Sequence, residues 1–125
     1  MAYSTTSTEY LTKKIPLTPP PTAPESEAKA LAAVLAAITS AKAPVLMVDG
    51  GAARQTWAKH VNPLIDALKI PVFNTLLGKG VADEYGPYYG GCFAGAGSTP
   101  KSVVDAIARS DCILWLGNLP SDFNT

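Results

Sequence analysis

The sequence is poor in the residues that usually carry chemistry. It has one histidine, His60, and two cysteines, Cys92 and Cys112. The cysteines are not at CxxC spacing, so neither a zinc site nor a thioredoxin-like redox pair is indicated. Both are expected to be reduced, buried thiols. Charged residues make up only 16% of the chain, and ten Lys+Arg balance ten Asp+Glu. A chain without net charge lacks the basic footprint of nucleic-acid binding and the polybasic patch that seeks anionic membranes. No apolar run reaches the roughly 20 residues of a membrane span. Met1 to Tyr10 contains neither a basic cluster nor an apolar stretch, so no secretory signal is expected and the reading is cytoplasmic.

What is present is apolar side chain, proline and glycine. Hydrophobic residues are 47% of 125 residues, enough for one packed domain and too many for a disordered tail. By area scaling such a chain buries about two-thirds of its unfolded surface. Residues 1–24 stand apart. Ser4 to Thr8 is polar, and Pro16, Pro19, Pro20, Pro21 and Pro24 follow closely. Proline donates to no helix or sheet ladder, so this segment reads as an extended or disordered linker.

The pattern turns regular at Glu25. Leu31, Val34, Leu35 and Ile38 fall at i, i+3, i+4 and i+7, which predicts a helix over 25–41 with one apolar face. Val45 to Val48 is wholly apolar and ends at Asp49-Gly50-Gly51, as in a strand buried on both faces. A helical pattern follows from Ala52, with Trp57, Val61, Leu64 and Leu68 on one face. Pro63 either kinks it or opens a second short helix capped by Asn62. Ile70 to Thr75 reads as a second strand, and residues 76–98 as a glycine-rich loop. Thr99-Pro100 reads as a cap and first position for a helix carrying Val103, Val104 and Ile107. Cys112 to Leu116 is a third strand. Strands alternating with amphipathic helices predict an α/β fold. The expected architecture is a three-layer, Rossmann-like parallel sheet with flanking helices, incomplete at three core strands. Cut there, the sheet would keep a bare edge and an apolar face, and marginal stability is expected.

No active site assembles from these residues. Asp49, Gly50 and Gly51 form a strand-to-helix turn that could set backbone N–H groups against a phosphate, but the GxGxxG fingerprint is missing. They are the only cofactor-binding candidates, and a plain tight turn is the alternative. Leu77-Gly78-Lys79-Gly80 is no P-loop: Phe73 stands where the first glycine belongs, and Gly80 replaces Ser or Thr. Gly90 to Gly97 has glycine without dinucleotide spacing and reads as close backbone packing. His60 has no GxSxG serine to serve and reads as an exposed helix residue. Cys92 as a nucleophile would need His60, and nothing in the sequence pairs them. Asp83-Glu84 reads as a solvated turn. No catalytic residue is assigned, and no acid, histidine and thiol cluster has metal spacing.

Several segments nevertheless occur together in a telling order. They are Pro44 to Asp49, Pro71-Val72-Phe73 with Gly78-Lys79-Gly80, Tyr89-Gly90-Gly91 with Ala94 to Ser98, Ser110 to Leu114, and Ser121-Asp122-Phe123-Asn124-Thr125. From Leu11 to Thr125 the chain resembles the middle domain of the thiamine-diphosphate-dependent pyruvate decarboxylases, fungal type. The resemblance covers about a fifth of a full-length member. It implies that residues 25–125 are a partial central domain of a 2-oxo-acid decarboxylase, and that the chain is a piece of a longer polypeptide. The family's activating glutamate and its Gly-Asp-Gly…Asn motif for Mg²⁺ and diphosphate belong to the other two domains. Thiamine diphosphate and Mg²⁺ are thus expected in the parent, none in this chain, and the chain alone is expected to be inactive. Its implied partners are the other domains and subunits of a homotetramer. The 2-oxo acid is met only through the parent, with no nucleic acid or membrane. Where yeast-type members carry cysteines after the first strand's Asp, this sequence has Gly51 and Ala52, so thiol regulation there is not expected. Two other functions remain open: an FAD- or NAD-like nucleotide module, and a truncated paralogue that regulates the parent.

Overall fold

The computed structural model describes Thr5, residues 8–14, Thr18, residues 21–121 and Asn124. Met1 to Tyr3, Pro16, Pro19, Pro20, Asp122, Phe123 and Thr125, on which parts of the linker and motif readings fall, lie outside the described residues. Within the expected linker, Thr8–Thr12 forms a short 3-10 turn.

Helix α1 runs Pro24–Ser40. Proline opens it at a position whose N–H a helix does not use, and Glu25 and Glu27 face its positive end. Strand β1 (Pro44–Val48) follows, then the four-residue helix α2 (Gly50–Ala53), a 3-10 turn at Thr56–His60 and helix α3 (Val61–Leu68). The second short helix therefore exists, but it begins at Val61, with His60 rather than Asn62 at the cap. Pro63 sits in its first turn, where no acceptor waits for an N–H. Asn62 instead accepts a hydrogen bond from the Asp83 N–H at 2.8 Å. Strand β2 is Val72–Thr75, β3 is Tyr89–Phe93, helix α4 is Ser102–Ala108 and strand β4 is Cys112–Leu116.

The four strands form one parallel sheet in the order β3-β2-β1-β4. The α/β class with a parallel sheet and flanking helices is as the sequence predicts. The number of strands is not: β3 lies in the segment read as loop. Its glycines explain both the strand and the misreading. A Cβ on Gly90 would stand 2.3 Å from the Phe73 ring, and one on Gly91 would meet Val103 at 2.9 Å. The strand can pair with β2 only because these side chains are missing, and the same lack removes the apolar alternation that marks a strand. A register shift between Val72 and Phe73 absorbs the irregularity. The expected cap at Thr99 is also absent, since α4 starts at Ser102 after Lys101 with no side-chain cap.

The central strand β1 buries both faces, as its unbroken apolar run demands. Leu46 and Val48 pack with Val72 against Ala52, Val61 and Ile65 on one side. Val45 and Met47 pack with Phe73 against Val103 on the other, with Ile107 and Trp115 alongside. Helix α1 contributes less than its periodicity promised. Ile38 is buried, but Leu31 is 58% exposed, and Val34 and Leu35 are exposed too. Asp111 anchors the α1–β1 connection, accepting from the Lys42 and Ala43 N–H groups at 2.8 and 2.9 Å.

This division of the core sets an expectation for urea denaturation. Leu46→Ala should cost about 2–5 kcal/mol, the range for truncating a buried leucine. Leu31→Gln should cost less than about 0.5 kcal/mol, as for most surface changes. Equal losses at the two positions would show that the α1 face is buried in solution.

Candidate functional site

Open parallel sheets take ligands at the carboxyl ends of their strands, where the strand order reverses. Here that point lies between β1 and β4. Asp49, the residue after β1, occupies it and is fully buried. A buried carboxylate survives only if its lone pairs are filled, and five donors fill them. Oδ1 accepts from the Gly50 N–H, from Thr75 Oγ1 at 2.7 Å and from Asn124 Nδ2 at 2.7 Å. Oδ2 accepts from the Leu119 N–H at 2.9 Å and from Trp115 Nε1 at 3.1 Å. The donors come from the ends of β2 and β4, the segment after β4 and the start of α2. Burial pushes the Asp49 carboxyl up, but the hydrogen bonds from Leu119, Thr75, Asn124 and Gly50 outweigh it and hold it below the usual carboxylate range.

The sequence-predicted phosphate turn is therefore brought together, and its amides have partners. Gly50 N–H meets Asp49 Oδ1, Gly51 N–H meets the Gly117 carbonyl at 2.9 Å, and Ala52 N–H meets the Asp49 carbonyl at 2.9 Å. The glycines serve close approach. A Cβ on Gly51 would fall 2.4 Å from the Gly117 carbonyl oxygen. Gly117, at φ +66°, turns the chain there, and a Cβ on it would fall 2.0 Å from the Ala52 nitrogen. Backbone closes the gap between the ends of β1 and β4.

A second polar cluster sits beyond β2. Glu84 Oε1 accepts from Asn74 Nδ2 and from the Gly80 N–H, both at 3.1 Å, and Oε2 pairs with Lys79 Nζ at 2.9 Å. Tyr89 donates its hydroxyl to Asn74 Oδ1 at 2.8 Å. The Lys79 ammonium and the Gly80 N–H hold Glu84 below the usual carboxylate range, and Glu84 in turn raises Lys79. Burial pushes the Tyr89 hydroxyl and the Cys92 thiol up, so Cys92 is further from a reactive thiolate than a free cysteine. The Asp83-Glu84 pair is thus divided: Asp83 is exposed, while Glu84 ties a loop together. Gly78 lets that loop lie on β1, since a Cβ there would meet the Val48 carbonyl oxygen at 2.2 Å.

His60 is exposed at the end of its 3-10 turn, as expected. Cys92 and Cys112 are free but half-buried rather than buried. Among the described residues, no three His, Cys, Asp or Glu side chains gather as a metal site. Every buried side-chain nitrogen or oxygen among them has a hydrogen-bond partner. Thr75, Asn74 and Trp115 are not site candidates in the sequence, and Asn124 stands there only as part of the Ser121 to Thr125 motif, without a role. The available signal was a polar residue closing a wholly apolar run, as Asp49 does after Val48 and Asn74-Thr75 do after Phe73.

Asp49→Asn places a donor amide where five donors converge, and at neutral pH should cost about 3 kcal/mol in urea denaturation, as for breaking a buried charged network. Because the folded carboxyl is held down, its stabilisation is complete above the unfolded pKa of about 4 and is lost as pH falls through the lower folded value. The pH dependence of stability below about pH 4 should flatten in the variant. A variant as stable as the parent chain, with an unchanged acid limb, would contradict the assignment.

Comparison with known proteins gives this arrangement its family. The profile described as "Thiamine pyrophosphate enzyme, central domain" matches residues 31–125. Pyruvate decarboxylase isozyme 3 of Saccharomyces cerevisiae is 42% identical over 115 residues, covering 92% of this chain and 20% of that protein. Pyruvate decarboxylase of Candida albicans is 40% identical over 115 residues, again 92% of this chain and 20% of the relative. That of Candida glabrata is 41% identical over 117 residues, 94% and 21%. The chain spans about a fifth of the length of these curated relatives. The parallel sheet, the order of its segments and the profile match agree, and the chain belongs to the thiamine pyrophosphate enzyme central-domain family.

Proposed function

We propose that this chain works as the central, non-catalytic domain of a 2-oxo-acid decarboxylase of the pyruvate decarboxylase type. In this reading it is part of a longer cytoplasmic protein. It bridges the domains that hold thiamine diphosphate and Mg²⁺ and supports a homotetramer. The whole enzyme would release CO₂ from pyruvate and yield an aldehyde, the bound cofactor acting as electron sink. The observation that carries the proposal is the saturation of Asp49. At the place where such a sheet would take a ligand, the carboxylate and the turn amides are spent on the chain's own backbone and side chains. These groups do not fit a diphosphate, which needs free N–H donors, or Mg²⁺, which needs carboxylate oxygens with open lone pairs. The same commitments speak against Asp49, Gly50 and Gly51 as an FAD- or NAD-like phosphate turn. Among the described residues no helix is long and apolar enough to cross a membrane.

The purified chain supplied with pyruvate, Mg²⁺ and thiamine diphosphate should form no acetaldehyde in an alcohol-dehydrogenase-coupled assay. Acetaldehyde formed in proportion to added chain would overturn the non-catalytic assignment.

A further inference from the structure

Asn124 is almost fully buried, at 1% exposure, and its carboxamide reaches three parts of the fold. Oδ1 accepts from the Leu77 N–H at 3.1 Å, at the start of the loop beyond β2. Nδ2 donates to Asp49 Oδ1 at 2.7 Å, at the end of β1, and to the Leu119 carbonyl at 3.0 Å, in the segment after β4. Leu119 returns to the same hub through its own N–H on Asp49 Oδ2. The far end of the Leu77–Gly80 loop is held by Glu84, which binds the Gly80 N–H and the Lys79 ammonium. Between the two clamps, Gly78 lies against the backbone of Val48 and Asp49 too closely for any side chain.

We propose that Asn124 is a latch that couples the segment after β4 to the Leu77–Gly80 loop, so that neither leaves its seat without loosening the other. The physical reason is the cost of a partial exit. If the segment lifts, the Leu77 N–H loses its part-buried acceptor and the buried Asp49 carboxylate loses two of its five donors, Asn124 Nδ2 and the Leu119 N–H, and under-satisfied buried charge is expensive. If the loop lifts first, Asn124 Oδ1 is stranded instead. Coupling of this kind is reciprocal. Lys79, half-exposed on the rim, and the exposed Leu76 and Leu77 are then the handle through which a contact on this edge is felt at Leu119.

Amide hydrogen exchange by NMR on the full 125-residue chain tests the latch. In Asn124→Ala the Gly80 N–H, whose acceptor Glu84 is untouched, should exchange about fivefold faster or more, a coupling of ordinary size. In Glu84→Ala the Leu119 N–H, whose acceptor Asp49 is untouched, should speed up by a similar factor. The Leu46 N–H, bonded to the Pro71 carbonyl in the middle of the sheet, should stay unchanged in both. A Gly80 rate that does not move while Leu77 exchanges faster overturns the proposal. So does an equal acceleration at Leu46, which would mean general loosening. Where Asn124→Ala gives a collapsed spectrum, Glu84→Ala decides: faster exchange at Gly80 with Leu119 unchanged is again a refutation.

Discussion

A carboxylate without solvent has to be fully hydrogen-bonded or it will not stay charged. Asp49 meets that condition with donors drawn from β2, β4, α2 and the segment after β4. The rest of the rim follows from it. The chain must turn sharply after Asp49 for the Gly50 N–H to reach Oδ1. The Gly117 carbonyl must come close enough to take the Gly51 N–H, so neither position tolerates a side chain. Asn124 must enter the interior, and in doing so it takes the Leu77 N–H and seats the Lys79 loop. One charge thus orders four chain segments, which neutral hydrogen bonds at single places would not do.

The same economy bears on function. A ligand crevice between β1 and β4 needs unspent donors and room for atoms. Here the donors are spent and the room is taken by backbone. The carboxyl ends of β1 and β4 are thus held to each other by the chain's own groups, which is the observation behind the proposed non-catalytic role. The second cluster follows the same principle: Asn74, Lys79 and Gly80 donate to Glu84, Tyr89 donates to Asn74, and burial pushes the nearby Cys92 thiol up.

Much of the fold was legible in the sequence, and the reasons differ by element. Val45 to Val48 reads as a central strand because both of its faces are buried, so every residue is apolar. Helix α1 was legible from its period, yet the period says only that a face is apolar and not that something covers it, and Leu31 stands in solvent. Strand β3 was illegible because Gly90 and Gly91 carry no side chains to alternate; their meaning lies in Phe73 and Val103, distant in sequence. The site was half legible. The turn at Asp49, Gly50 and Gly51 stood out, but its purpose depends on Thr75, Trp115, Leu119 and Asn124, up to 75 positions away. A strand-to-helix turn looks the same whether its donors await a phosphate or a carbonyl from the next strand.

The whole rim depends on Asp49 as an ionised, internally saturated pin. A ¹³C-carboxyl NMR titration of its side chain, run with and without millimolar ADP-ribose, tests it most directly. The expected result is a carboxyl that titrates below the ordinary aspartate range, with a resonance that the added diphosphate leaves in place. A carboxyl that titrates at or above that range, or a resonance that moves in step with diphosphate concentration, would contradict it.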